Sequence, residues 1–106
     1  MAKKSLETLT ESMFYVLLAL SQGDKCGTEI TDFICNLTRQ RVKIGPATLY
    51  TILGKFEHEH IICEIAVEGR KRTYTLSDKG QHLLQMEIRR LELCLADVKS
   101  LILNAE

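Results

Sequence analysis

Hydrophobic positions change their period several times along this chain, and each change marks an element. Met13, Phe14, Val16, Leu17, Leu18 and Leu20 are apolar around most of a helix, which predicts a central helix buried by several partners. Ahead of it, Thr8-Leu9-Thr10-Glu11 matches a capping box, with Thr8 as the cap and Glu11 reaching back. Gly23 suits the left-handed position after that helix, and Asp24-Lys25 forms the turn. A second helix is predicted from about Gly27 to Leu37. Ile30, Phe33, Ile34 and Leu37 form its core stripe, while Thr28, Glu29, Thr31 and Asp32 face water. Thr38-Arg39-Gln40-Arg41 is polar, and Val42-Lys43-Ile44 alternates like a very short strand.

The third helix opens at Gly45-Pro46, the site of the only proline. Proline costs nothing at a first helical position, where its missing N–H would have no partner anyway. Leu49, Ile52, Leu53 and Phe56 then fall on one stripe, the spacing of a core face. The opposite side shows Ala47, Thr48, Thr51 and Lys55, with Tyr50 at its edge. That face has no carboxylate and no bulky aliphatic residue, whereas a helix selected only for solubility carries Glu–Lys pairs there. A slim, hydroxyl-bearing face suits close approach to another surface such as the major groove of DNA. An ordinary amphipathic core helix explains the buried stripe equally well.

The period then becomes two. Ile62-Cys63-Glu64-Ile65-Ala66-Val67-Glu68 and Arg72-Thr73-Tyr74-Thr75-Leu76 read as strands around Gly69, a hairpin whose tip is Arg70-Lys71-Arg72. Beside a helix-turn-helix such a hairpin is a wing, and its cations can reach phosphates or the minor groove. Edge charges that discourage aggregation are the plainer explanation. Ser77 suits the cap of a last helix. There Leu84, Ile88, Leu91, Leu95, Val98 and Ile102 step by four and three in alternation, an a/d seam. A helix of ~24 residues is ~36 Å long, more than a winged domain can cover, and its economical partner is a copy of itself.

The expected fold is therefore mainly α with a small β-hairpin: a winged helix-turn-helix over residues 1–78 and a coiled-coil-like dimerisation helix over 79–106. At 106 residues the chain has room for one modest core. A hydrophobic content of 45% with 26% charged residues is that of an ordinary globular protein. No apolar run approaches the ~20 residues of a membrane span, and the N-terminus has no apolar signal core. A cytoplasmic protein that does not enter membranes is expected.

Formal net charge is zero, which argues against bulk binding to nucleic acid, but the distribution is uneven. Seven basic residues against four acidic ones lie between Arg39 and Tyr74, while three basic face five acidic before Arg39. Cys26, Cys35, Cys63 and Cys94 show no C-x-x-C spacing, and His58 and His60 point to different sides of a helix. Neither metal nor cofactor is expected, and the thiols should be reduced. There is no nucleophile–base arrangement and no phosphate-binding glycine loop to support an enzyme.

With these segments in place, the chain resembles the PadR family of transcriptional regulators over nearly its whole length. The segment from Leu9 to Leu20 resembles the family's first helix, and Gly27-Thr28-Glu29-Ile30 is similar to the G-Y-E-I that opens its second. Val42 to Tyr50 resembles its recognition segment, and Gly69 to Gln81 its wing and the start of its last helix. The single helix after the wing resembles the smaller subfamily. His60 replaces a usual Gly, Cys26 a common His and Thr28 a common Tyr, and tryptophan is absent.

The resemblance implies a dimeric repressor, sometimes released by a small molecule. Thr48, Tyr50 and Thr51 are then candidates for base contacts, with Lys43, Lys55, Arg70, Lys71 and Arg72 on phosphate of a double-stranded operator. Leu84, Ile88, Leu91, Leu95, Val98 and Ile102 would join two copies. An apolar or planar effector would sit between Met13 and Phe14 of the first helix and Leu91, Cys94 and Leu95 of the last. Met and Cys are adaptable wall residues, although such side chains on adjoining helices ordinarily form packed core. The rival function is a winged-helix module that binds protein and not DNA.

Overall fold

The computed structural model describes residues 9–104. Helix α1 spans Glu11–Ser21, capped by Thr10, whose Oγ1 accepts the Met13 N–H at 3.1 Å. The cap expected at Thr8 lies outside the described residues. Val16, Leu17, Ala19 and Leu20 are buried, as a central helix requires. After the turn at Gly23, strand β1 (Lys25–Cys26) leads directly into α2 (Gly27–Leu37). Ile30 and Ile34 of α2 are buried and Phe33 is half-buried. Leu37, expected in the same stripe, is 53% exposed, because the helix ends there and no element among the described residues covers its last turn.

The connection from α2 to α3 (Pro46–His58) contains no strand at Val42–Ile44, contrary to the alternation read there. Instead the chain folds back on α2. Arg39 and Gln40 adopt φ of 53° and 65°, the left-handed region that costs energy for residues with a Cβ. Gln40 N–H donates to Cys35 O at 2.8 Å. Thr38 Oγ1 donates to Ile34 O at 2.8 Å and accepts the Val42 N–H at 3.0 Å. Val42 is thereby satisfied without a neighbouring strand, and its side chain enters the core.

Strands β2 (Ile62–Glu68) and β3 (Lys71–Leu76) form the hairpin, with Glu68 opposite Lys71 and a two-residue turn at Gly69-Arg70. Gly69 has φ +64°. Ile65 is bulged out between the Glu64–Tyr74 and Ala66–Thr73 pairs. The sheet order is β1-β3-β2, so the two residues of β1 pair with Tyr74 and Thr73 and tie the middle of β3 to the start of α2.

Helix α4 (Asp78–Asn104) begins where α3 ends. His60 closes α3 at φ +62°, and Ile61 N–H returns to Phe56 O at 2.8 Å. Ser77 N–H donates to Ile61 O at 3.0 Å, while its Oγ reaches His60 O and Ile61 O and caps the Gly80 N–H. Lys79 Nζ donates to Glu59 O at 2.8 Å. Gly80 lies so close to this corner that a Cβ there would collide with Ile61 O and with the Leu76 side chain. Leu84, expected on the dimer seam, is 1% exposed in the chain's own core, and Ile88 packs against that core. The first turns of α4 thus belong to the same packing unit as the winged helices, and the free arm starts near Leu91.

Replacing Gly80 by Ala should destabilise the protein by about 1–3 kcal/mol or more, since backbone and not a flexible side chain must yield. Thermal and urea unfolding check this, and an unchanged midpoint would contradict the close approach.

Candidate nucleic-acid interface

Helix α3 is positioned by its buried stripe. Leu49, Ile52, Leu53 and Phe56 are at most 4% exposed, so the helix cannot rotate without uncovering all of them. Its start is set by extended Gly45 (φ −72°, ψ 162°) followed by Pro46. The opposite face is necessarily turned outward: Ala47, Thr48, Tyr50, Thr51, Gly54 and Lys55 are exposed, Tyr50 at 66%. Thr51 Oγ1 donates to Ala47 O at 3.0 Å, which leaves that hydroxyl oxygen free to accept. Lys43 is exposed just ahead of the helix.

The hairpin brings its cations to the same side. A cleft of about 480 Å³ is lined by Tyr50, by Arg70, Lys71, Arg72 and Tyr74 of the wing, and by Cys26 to Glu29 at the start of α2. A second groove of about 250 Å³ continues past Tyr50 along Thr28, Thr31, Ile44, Pro46 and Leu49. Tyr50 and the three wing cations therefore share one concavity, while Thr48, Thr51, Lys55 and Lys43 lie outside its lining. Arg72 pairs with Glu64 on the neighbouring strand at 3.6 Å; Arg70 has no ion-pair partner among the described residues. Burial pushes the Tyr74 phenol pKa up, so it stays neutral at the floor.

Sequence reading missed the α2 contribution. Glu29 Oε1 accepts the Cys26 N–H at 2.8 Å, and that backbone bond is the main cause holding its carboxyl below the usual range. The only sequence signal is an acidic residue three positions after a helix start, which also marks a simple cap. The pairing of β1 with β3, which turns this helix end toward the wing, has no periodicity to detect in two residues.

The expected effector and dimer residues separate. A cleft of about 280 Å³ lies between the start of α1 and α4, and Phe14 and Leu91 line it with Tyr15, Glu87 and Arg90. Met13 packs against the core, while Cys94 and Leu95 are exposed farther along α4. Arg90 forks onto Glu87 at 2.6 and 3.0 Å, and Glu87 is only 9% exposed. On the other rim, Arg41 donates to the Tyr15 hydroxyl at 3.0 Å and to Glu11 at 3.5 Å. Of the six seam positions, Leu91, Leu95, Val98 and Ile102 are exposed at 39–58%. No three His, Cys, Asp or Glu residues converge on a metal position among the described residues.

Three helices, a wing beside the third and a long terminal helix define a winged helix-turn-helix protein. Residues 16–86, more than half of the chain, match the transcriptional regulator PadR-like family, and the chain belongs to that family. An uncharacterised 37.1 kDa protein of a Streptomyces fradiae transposon is 30% identical over 77 residues, covering 73% of this chain. The chain spans only 22% of that relative's length. A Clostridium thermocellum transcriptional regulator superposes with TM-score 0.73 at 24% identity, covering 83% of this chain and 89% of its own. Bacillus subtilis PadR in complex with operator DNA superposes with TM-score 0.64 at 25% identity, covering 73% of this chain and 47% of its own.

Because Tyr50 is largely exposed, Tyr50→Ala should change folding stability by no more than about 0.5 kcal/mol. Denaturant titration checks this. A loss of several kcal/mol would assign Tyr50 to the core.

Proposed function

We propose that this PadR-family regulator is a sequence-specific DNA-binding repressor that works as a homodimer in the cytoplasm. The observation that carries this reading is one concave face holding both Tyr50 of α3 and the Arg70-Lys71-Arg72 wing tip. Helix α3 enters the major groove with Thr48, Tyr50 and Thr51 toward base edges. Hydroxyl contacts discriminate less than a bidentate Arg–guanine pair, so specificity is assembled across two half-sites about one helical turn apart. Lys43 and Lys55 set the register on phosphate, and the wing adds sequence-independent affinity.

Two copies join through the part of α4 beyond the core, at Leu91, Leu95, Val98 and Ile102, which would otherwise leave an exposed apolar stripe. That division makes residues 79–106 the dimerisation helix, with its first turns shared with the winged unit at 1–78. An apolar or planar effector would take the cleft between α1 and α4, which Phe14 and Leu91 line. It would act by preferring one angle between the two winged units, and its leverage equals its difference in affinity for the two geometries. The rival role, a protein-binding winged module, is favoured only by the zero net charge.

Fluorescence anisotropy with a duplex from the chain's own upstream region, and with random duplex, tests this reading. Neutralising Arg70, Lys71 and Arg72 together should weaken both duplexes. The log–log salt slope should fall by about one for each phosphate that the wing no longer neutralises. No duplex binding even at low salt would leave the protein-binding role.

Changing Leu91 and Leu95 to charged residues should yield monomers or insoluble protein. Sedimentation of an unchanged dimer would remove α4 from the interface.

A further inference from the structure

The cleft beside α3 contains one group that attraction to DNA does not call for, a carboxylate. Glu29 sits in the first turn of α2 and lines the cleft opposite Arg70, Lys71 and Arg72. The N-terminus of a helix is ordinarily a place where an anion is welcome. Here the chain supplies its own anion, tethered by the 2.8 Å bond from the Cys26 N–H. Tethering matters because an exposed carboxylate on a free stem can swing away from an approaching phosphate. Glu29 cannot leave without giving up the Cys26 N–H. The same backbone bond, then the Cys26 side chain and, more weakly, Lys71 and Lys25 hold the carboxyl below its usual range.

Resting on the DNA-binding reading above, we propose that Glu29 limits sequence-independent affinity by opposing the DNA backbone where it passes between α3 and the wing. Three cations in a row at the wing tip attract any duplex, whatever its sequence. A fixed negative charge in the same cleft subtracts from that attraction wherever a phosphate enters. Genomic DNA offers a vast excess of competing sites, and a lower sequence-independent affinity leaves less of the protein held on them. Asp32, on the same helix, is exposed but stands outside the cleft, and it provides an internal reference.

The test compares Glu29→Gln with Asp32→Asn in the full chain. Gln keeps an oxygen acceptor for the Cys26 N–H and removes only the charge, and thermal unfolding confirms that each variant is folded. Binding to a random-sequence duplex is followed by anisotropy over a range of salt. Glu29→Gln should bind about three- to tenfold more tightly, as expected for removing one like charge at short range in a solvated cleft. Its log–log salt dependence should steepen by up to about one unit, with Asp32→Asn close to the parent. Equal gains in both variants, or no gain in Glu29→Gln, overturn the inference and leave Glu29 as a helix cap alone. A parent chain that binds no duplex at low salt instead overturns the DNA-binding reading, and this inference with it.

Discussion

The corner between the end of α3 and the start of α4 is the constraint on which the rest of this structure depends. His60 turns the chain through a left-handed conformation, Ile61 and Ile62 enter the core, and the chain returns from the wing to the same point at Ser77. Ser77 serves both sides, reaching the His60 and Ile61 carbonyls while accepting the Gly80 N–H. Gly80 completes the fit, since any side chain there would collide with Ile61 O. Orphan groups of two helix ends are thereby satisfied by the Ser77 and Lys79 side chains. The consequence is geometric: the outward face of α3, both strands of the wing and the axis of α4 leave one rigid corner in fixed directions.

That rigidity gives the surface chemistry its meaning. The outward face of α3 and the wing cations share a cleft because the wing springs from the end of α3 and is tied along β3 by β1. The same corner aims α4 away from the core, so its apolar positions beyond Leu91 are exposed, with no cover among the described residues. In the proposed dimer, a change in the angle between two α4 arms would be passed to α3 with little loss, because close-packed junctions shift as units.

Much of this was legible in the residues. The greasy run of α1, the Gly45-Pro46 start and buried stripe of α3, and the alternation on both sides of Gly69 each carry a strong local signal. His60, where the resemblance places a usual Gly, adopts φ +62°, the left-handed conformation that glycine favours. Other readings failed for identifiable reasons. Val42–Ile44 alternates, but a strand needs a neighbour, and here the Thr38 hydroxyl takes the hydrogen bond that a neighbour would have taken. Leu37 has the right spacing for a core stripe, yet it falls at a helix end with nothing above it. Leu84 continues a heptad with Leu91 and Leu95, and period alone cannot say that its partner is the chain's own core.

What the sequence determined by itself was the four helices, the hairpin and the polarity of most of their faces, because period, capping and turn chemistry are local properties. What only the tertiary structure decided was which faces meet. The two-residue strand β1 draws the start of α2 beneath the wing and puts Glu29 opposite Arg70, Lys71 and Arg72, residues far along the chain. The α3–α4 corner divides one continuous heptad into a buried beginning and an exposed remainder. Both outcomes rest on packing between segments well separated in sequence, and such packing leaves no periodic trace in either segment alone.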